Sequence, residues 1–272
     1  MPSVNFDPST HDYSAGNALL LGYASDIAYD DPQEAAPKFA QHGLAVEKFY
    51  NVKAHRLDTQ AYLVGNDKCL IVAFRGTQPD KIKDWMTDLD INLVGGPGGR
   101  VHDGFNAALN SIWRDLWQDI ATTRNNRSLW VTGHSLGGAL AVLATAKLRL
   151  EKDEPVNGLY TFGQPRVGDR DFARHFDADF GRQSFHYVNN NDVVARVPFR
   201  SMGYSHVGSF CYFDSKGRQR DDINWMNLIL DRLRGQIEDH LVVDKLKDHS
   251  RKLYVGLLEN NLDGKPTRVG GG

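Results

Sequence analysis

Leu129-Trp130-Val131-Thr132-Gly133-His134-Ser135-Leu136-Gly137-Gly138-Ala139-Leu140 changes character at its middle. The first residues are apolar and strand-favouring, and the last begin an Ala/Leu-rich helical run. Between them lies Gly-x-Ser-x-Gly. A serine hydroxyl is a weak nucleophile unless it is exposed and aimed at a base. A sharp strand-to-helix turn pushes the Ser135 side chain out of the backbone, and Gly133 and Gly137 let strand and helix approach closely around it. The helix that starts there also aims partial positive charge and free N–H groups at the reacting oxygen. The reading is a nucleophilic serine on a strand–turn–helix.

On both sides of this turn, strands and helices alternate, which predicts a central, mostly parallel sheet flanked by helices. Upstream, Ala18 to Ala28 reads as a helix. Thr59 to Val64 and Cys69 to Phe74 read as a hairpin around Gly65-Asn66-Asp67, the second strand being apolar throughout, as a strand covered on both faces requires. Phe105, Leu109, Ile112, Leu116 and Ile120 recur at helical spacing and predict a helix over Asp103–Ile120. Downstream, a helix from Ser135 to about Leu150 is followed by strands at Val156–Phe162, Ser184–Val188 and Val207–Phe213. Helices are expected over Leu228–Leu246 and Arg251–Leu258, then a disordered tail from Asp263 to Gly272.

The chain of 272 residues is 41% hydrophobic, enough for a sizeable core in one domain spanning 1–272. Lys and Arg number 32 against 34 Asp and Glu, a net charge of -2 with no block of like charges. That argues against nucleic acid as a partner and against a strongly basic membrane-binding face. Cys69 and Cys211 both lie in apolar runs, which leaves a single disulfide and two buried thiols equally open. Met1-Pro2-Ser3-Val4-Asn5-Phe6-Asp7 has no basic start followed by an apolar core, so no secretory signal is read in it. Location stays open between the cytoplasm and export with the leader already removed. No stretch approaches the ~20 apolar residues needed to span a bilayer.

The serine segment resembles the class 3 lipase family, relatives of the filamentous-fungal triacylglycerol lipases. Other stretches resemble the same family in the same order: Val72-Ala73-Phe74-Arg75-Gly76-Thr77, Val101-His102-Asp103-Gly104-Phe105, and Thr161-Phe162-Gly163-Gln164-Pro165-Arg166-Val167-Gly168. Asn191-Asp192-Val193-Val194 with Pro198, Tyr204-Ser205-His206-Val207-Gly208, and Asp248-His249-Ser250 with Tyr254 complete the series. The resemblance covers roughly residues 15 to 258. It implies the α/β-hydrolase fold and a serine carboxylic ester hydrolase that needs no cofactor. Histidines and carboxylates show no metal-ligand spacing.

In that fold the reactive residues run Ser, then Asp or Glu, then His along the chain. Asp192 lies a few residues past an expected strand, where side chains face the ligand crevice of an open sheet. The resemblance places the acid on it. Three histidines follow: His206, at the start of a strand; His240, on an expected amphipathic helix; and His249, in a short polar segment. The resemblance selects His249 as the base. His134 and His102 precede the acid and are read as packing or hydrogen-bonding residues.

An oxyanion needs donors in place before it forms. One expected donor is the backbone N–H of Leu136, the residue after the serine. The resemblance gives the second as Thr77, through its N–H and hydroxyl. Ile82, Trp85, Met86 and Leu89 then form one apolar stripe at helical spacing, opposite Lys81, Lys83, Asp84 and Asp88. With a glycine-rich hinge at Gly95-Gly96-Pro97-Gly98-Gly99, the segment from about 78 to 100 resembles the family's lid, which swings away at a lipid–water interface. The alternative is a surface helix packed permanently on the core. Trp225, Met226, Leu228, Ile229 and Leu230 are read as core or as acyl-channel lining.

These features lead to an expected lipase acting on fatty-acid esters of glycerol. A feruloyl-type or short-chain carboxylesterase, a phospholipase of the first acyl position and a non-catalytic binding module of the same fold are the rivals. Chain-length preference and oligomeric state are not legible in the sequence.

Overall fold

The protein is described by a computed structural model covering residues 5–53, 58–78, 81–87, 91–190, 192–220 and 247–262. Its larger sheet runs in the order β1 (Ala45–Lys53), β2 (Asp58–Gly65), β3 (Cys69–Phe74), β6 (Ser128–His134), β7 (Gly158–Phe162), β9 (Ser184–Asn189), β11 (Ser209–Phe213), β12 (Gln219–Arg220). The strands β3, β6, β7, β9 and β11 pair in parallel, and antiparallel strands close both edges.

Helices cover both faces, so the central strands have no polar side to show. Along β3 the side chains alternate: Leu70, Val72 and Phe74 point into one core, Cys69, Ile71 and Ala73 into the other. The first core is completed by α4 (Asp103–Thr123), α5 (Leu136–Ala146) and α6 (Arg170–Phe180). The second is completed by α1 (Ala15–Ile27) and α7 (Arg251–Glu259). Helix α5 is buried along its whole length, which is why it reads as Ala and Leu rather than as an amphipathic stripe.

A smaller sheet sits beside the first in the order β10 (Tyr204–Ser205), β8 (Gly168–Asp169), β5 (Gly99–His102), β4 (Leu93–Gly96). It corrects one expectation. The glycine-rich run is not a free hinge but the turn of the β4–β5 hairpin, with Gly96 opposite Gly99 and Leu93 opposite His102. Gly98 has a φ of +77°, the conformation such a turn needs. The lid-like segment is therefore shorter than 78–100. Its helix α3 spans Ile82–Thr87, and Leu89 lies outside the described residues.

Other differences are local. The helix after Ser135 gives way at Lys147–Glu151 to a turn of π-helix. The edge strand β1 and helix α2 (Pro32–Gln41), capped by Asp31, were not expected. Cys69 and Cys211 are buried thiols on β3 and β11. Three strands separate them, and at about 4.8 Å per strand no disulfide can span that gap. The expected helix Leu228–Leu246, the apolar run from Trp225 to Leu230, His240 and the tail from Asp263 lie outside the described residues. Among the described residues no helix is long and apolar enough to cross a membrane.

Candidate active site

The parallel register brings four strand ends level. Phe74 pairs with Gly133, Gly133 with Thr161, and Phe162 with Tyr187. The loops after β3, β6, β7 and β9 therefore open at one edge of the sheet, where ligands bind in such folds. They carry Thr77, Ser135, Gly163 and Asp192.

Ser135 sits at φ 59°, ψ −131°, a conformation that non-glycine residues rarely adopt. The turn holds it there. The Ser135 N–H donates to the Phe162 carbonyl at 2.9 Å, and the Ser135 carbonyl accepts from the Gly138 N–H at 2.9 Å. Such strain costs on the order of 1–3 kcal/mol and persists only where the surroundings over-determine it. The glycines are part of that determination. A Cβ on Gly133 would stand 2.3 Å from the Gly137 carbonyl oxygen, and one on Gly137 2.3 Å from the Phe74 carbonyl oxygen. Helix α5 starts at Leu136 with no side-chain cap, so its first N–H groups face the site without competition from a capping side chain.

The loop after β3 lies directly against this turn. A Cβ on Gly76 would meet the His134 carbonyl oxygen at 2.5 Å and the Ser135 Cβ at 3.1 Å. Thr77 Oγ1, next along the loop, is buried without a hydrogen-bond partner among the described residues. A buried unpartnered hydroxyl costs roughly 1–3 kcal/mol and is a donor waiting for an acceptor.

Asp192 and His249 meet in full burial. The imidazole Nδ1 lies 2.8 Å and 3.0 Å from the two Asp192 carboxylate oxygens. The carboxylate also accepts from the Val194 N–H at 2.9 Å and from the Tyr254 hydroxyl at 2.6 Å. Burial alone would raise the Asp192 carboxyl. The His249 imidazole and the hydrogen bonds from His249 and Tyr254 outweigh it and hold the group below the usual carboxylate range. With Nδ1–H committed to the carboxylate, the other ring nitrogen keeps its lone pair. His249 Nε2 and Ser135 Oγ are both buried and without hydrogen-bond partners among the described residues. They are not bonded to each other in this geometry, which is common before substrate arrives. They are nonetheless close neighbours of the same backbone. A Cβ on Gly163 would lie 3.0 Å from His249 Cε1, and the preceding carbonyl is the one that holds the Ser135 N–H.

Of the other histidines, His206 Nε2 is 2.7 Å from the Ala195 carbonyl, with its ring stacked on His186 at 4.8 Å. His102 caps α4 by accepting from the Phe105 N–H. In the lid-like helix, Ile82 is buried, Trp85 and Met86 are half-buried, and Trp85 stacks on Phe105 with ring centroids 6.2 Å apart. The apolar stripe thus faces inward. Among the described residues no group of His, Cys, Asp or Glu is placed to hold a metal ion.

Tyr254 and Gly163 lie in sequence motifs that carry no local sign of a role. Tyr254 accepts from the Asn189 N–H at 2.9 Å and donates to Asp192, so it fixes the acid to the end of its own strand. Gly163, at φ +59°, leaves no room for a side chain: its Cβ would stand 2.5 Å from Asp192 Oδ2 and 2.9 Å from His249 Nδ1.

The family model described as lipase (class 3) matches residues 71–202, the span from β3 through the acid. That span belongs to the class 3 lipase family. It is 31% identical over 266 residues to triacylglycerol lipase OBL1 of Ricinus communis, covering 74% of this chain and 51% of that protein. It is 34% identical over 166 residues to a lipase of Rhizomucor miehei, covering 56% of this chain and 44% of that one. The solved complex of Rhizomucor miehei lipase with its propeptide superposes with a TM-score of 0.66 at 27% identity, over 76% of this chain and 71% of that one. A triacylglycerol lipase described as having a serine protease triad at its catalytic centre superposes at 0.64 with 27% identity, over 72% and 79% of the two chains. The chain spans about half the length of the Ricinus relative it matches. With these likenesses the architecture is the α/β-hydrolase fold.

Two outcomes follow from the site's packing. Gly163→Ala is expected to force His249 off Asp192, and loss of the low-field Nδ1–H proton resonance of His249 checks it; an unchanged resonance would refute the packing argument. His134 and His186 are both buried, and burial holds His134 well below its usual range and His186 at about 3. They stay neutral in the fold but take up protons once unfolded. Stability is therefore full above about pH 6.5 and falls as the pH drops below it, by roughly 1 kcal/mol per histidine at about pH 5.5. Denaturant titrations over this range should show the fall, and a flat profile would contradict it.

Proposed function

We propose that this chain hydrolyses carboxylic esters of fatty acids, acylglycerols foremost, through an acyl-enzyme. The observation that carries the reading is an imidazole pinned at Nδ1 by a buried carboxylate, with its Nε2 and the Ser135 hydroxyl both buried and without hydrogen-bond partners among the described residues. In the first step His249 takes the Ser135 proton as Oγ attacks the ester carbonyl. The resulting oxyanion is met by the Leu136 N–H and by Thr77, whose hydroxyl has no hydrogen-bond partner among the described residues. Asp192 stabilises the imidazolium, which returns the proton to the departing alcohol. Water then repeats the sequence: His249 removes its proton, the hydroxide adds to the acyl carbon, and Ser135 leaves with a proton as the fatty acid is released.

The relatives' names support an acylglycerol as substrate, and the inward apolar stripe supports work at a lipid surface. Turning α3 outward would expose Ile82 and Trp85, at a cost of about 1.5–3 kcal/mol for a fully buried side chain such as Ile82. Lipid contact removes that cost. The reading assigns Ile82, Trp85 and Met86 to a lid, with Leu89 beyond the described residues.

A serine-directed phosphonate should label the folded protein once, and Ser135→Ala should abolish both labelling and turnover. Absence of labelling in folded wild-type protein would favour a binding module. Across p-nitrophenyl esters of rising chain length, triglyceride, phospholipid and methyl ferulate, the long-chain and triglyceride substrates are expected to lead. Preference for methyl ferulate or acetate would replace the substrate class while leaving the chemistry intact. On a long-chain ester, activity should rise above the solubility limit, and no gain there would remove the lid.

A further inference from the structure

His134 stands one residue before Ser135, so its backbone is fixed by the strained turn, and its buried ring reaches in two directions. Its Nε2 lies 2.7 Å from the backbone carbonyl of His249, and its Nδ1 lies 2.9 Å from the hydroxyl of Tyr29. The ring also packs on the His249 imidazole, with centroids 4.5 Å apart. A carbonyl can only accept, so Nε2 must carry the hydrogen. Nδ1 then has a lone pair, and the Tyr29 hydroxyl must donate to it. The hydrogen-bond direction is thereby set along the whole chain: Tyr29 O–H to His134 Nδ1, and His134 Nε2–H to the His249 carbonyl.

Each end of this chain is anchored at a different part of the site. Tyr29 follows the last turn of α1. Its ring lies under the Arg251 guanidinium at 4.3 Å, and Arg251 is itself bound to Asp26 of α1 at 2.6 Å. The Tyr29 hydroxyl also touches the loop after β3, since a Cβ on Gly76 would meet it at 2.3 Å. At the far end, the segment carrying His249 is a single short turn, Lys247–His249. Its other ties include Asn189 Nδ2 to the Asp248 carbonyl at 2.9 Å and the Asp192 contact. A histidine on so short a turn needs its backbone held as well as its ring.

We propose that Tyr29 and His134 are positioning residues that set the backbone of His249 against the nucleophile turn through a hydrogen-bond chain of fixed direction. The inference rests on the assignment of Ser135, His249 and Asp192 given above. Neither residue touches the reacting atoms, and no proton moves along the chain during turnover. Burial keeps His134 neutral and raises the Tyr29 hydroxyl, so both hold the protonation states that the chain requires. Releasing the His249 carbonyl lets the imidazole drift from its attack geometry, and a displacement of about 1 Å is enough to cost on the order of 100-fold in rate.

The first test needs no variant. Nitrogen-15 imidazole spectra of the wild-type protein and of Ser135→Ala should show His134 as the neutral Nε2–H tautomer. An Nδ1–H or doubly protonated ring overturns the chain. The second test normalises kcat to sites titrated by the phosphonate. Tyr29→Phe is expected to lower kcat about 10-fold and His134→Phe about 100-fold, with KM changed by less than about twofold. His134→Gln, which keeps an N–H donor near the Nε2 position, should recover much of the loss. Wild-type kcat per titrated site in Tyr29→Phe and His134→Phe overturns the proposal. If His134→Phe does not fold, Tyr29→Phe and the spectra decide. A failure of the underlying assignment looks different: Ser135→Ala would then still turn over, whatever the tautomer of His134.

Discussion

A carboxylate and an imidazole removed from water together are the interaction on which the site depends. Each would be costly to bury alone. Asp192 is tolerated because the Val194 N–H, the Tyr254 hydroxyl and His249 Nδ1 all donate to it. That commitment fixes the imidazole tautomer and leaves Nε2 as the one nitrogen able to take a proton. Tyr254 therefore belongs to the same unit, for it ties the acid to the backbone of β9 through Asn189. The sheet supplies the position: the acid follows β9, the serine follows β6, and β7 lies between them with Gly163 at its end, where nothing larger fits.

The second constraint is backbone strain, and it is met by close packing rather than by a special contact. Ser135 is held at positive φ because strand, helix and the neighbouring loop approach within the volume of one Cβ at Gly133, Gly137 and Gly76. The same approach that strains the serine lays the loop carrying Thr77 beside it. The strained serine and the proposed oxyanion donors are therefore consequences of one packing arrangement. A residue added at any of these glycines would disturb both functions at once.

How much of this was legible in the string depended on distance along the chain. Gly-x-Ser-x-Gly between a strand and a helix is a local pattern, and so is the alternation that predicts a parallel sheet. Both were readable. His206, His240 and His249 all follow the acid, so the choice of His249 came from its short polar setting and the family resemblance; nothing local shows that its ring reaches a carboxylate 57 residues away. The pairing of Tyr29 with His134 spans 105 residues and carries no periodicity, so His134 could be read as a packing or hydrogen-bonding residue but not matched to its partner, and Tyr29 carried no signal. The small sheet was invisible for another reason: two of its strands, β8 and β10, are two residues long and too short for any alternation. The glycines at 95–99 show the limit of composition, since a hairpin turn and a hinge ask for the same residue. Cys69 and Cys211 could be judged only once three strands were seen between them.

The geometry at Ser135 is open to a crystal structure of the phosphonate-inhibited protein. Phosphorus is expected bonded to Ser135 Oγ, with His249 Nε2 within hydrogen-bond distance of an ester oxygen and the phosphoryl oxygen facing the Leu136 N–H and Thr77. An adduct on another residue, or one on Ser135 with the His249 ring turned away from it, would overturn the proposed triad.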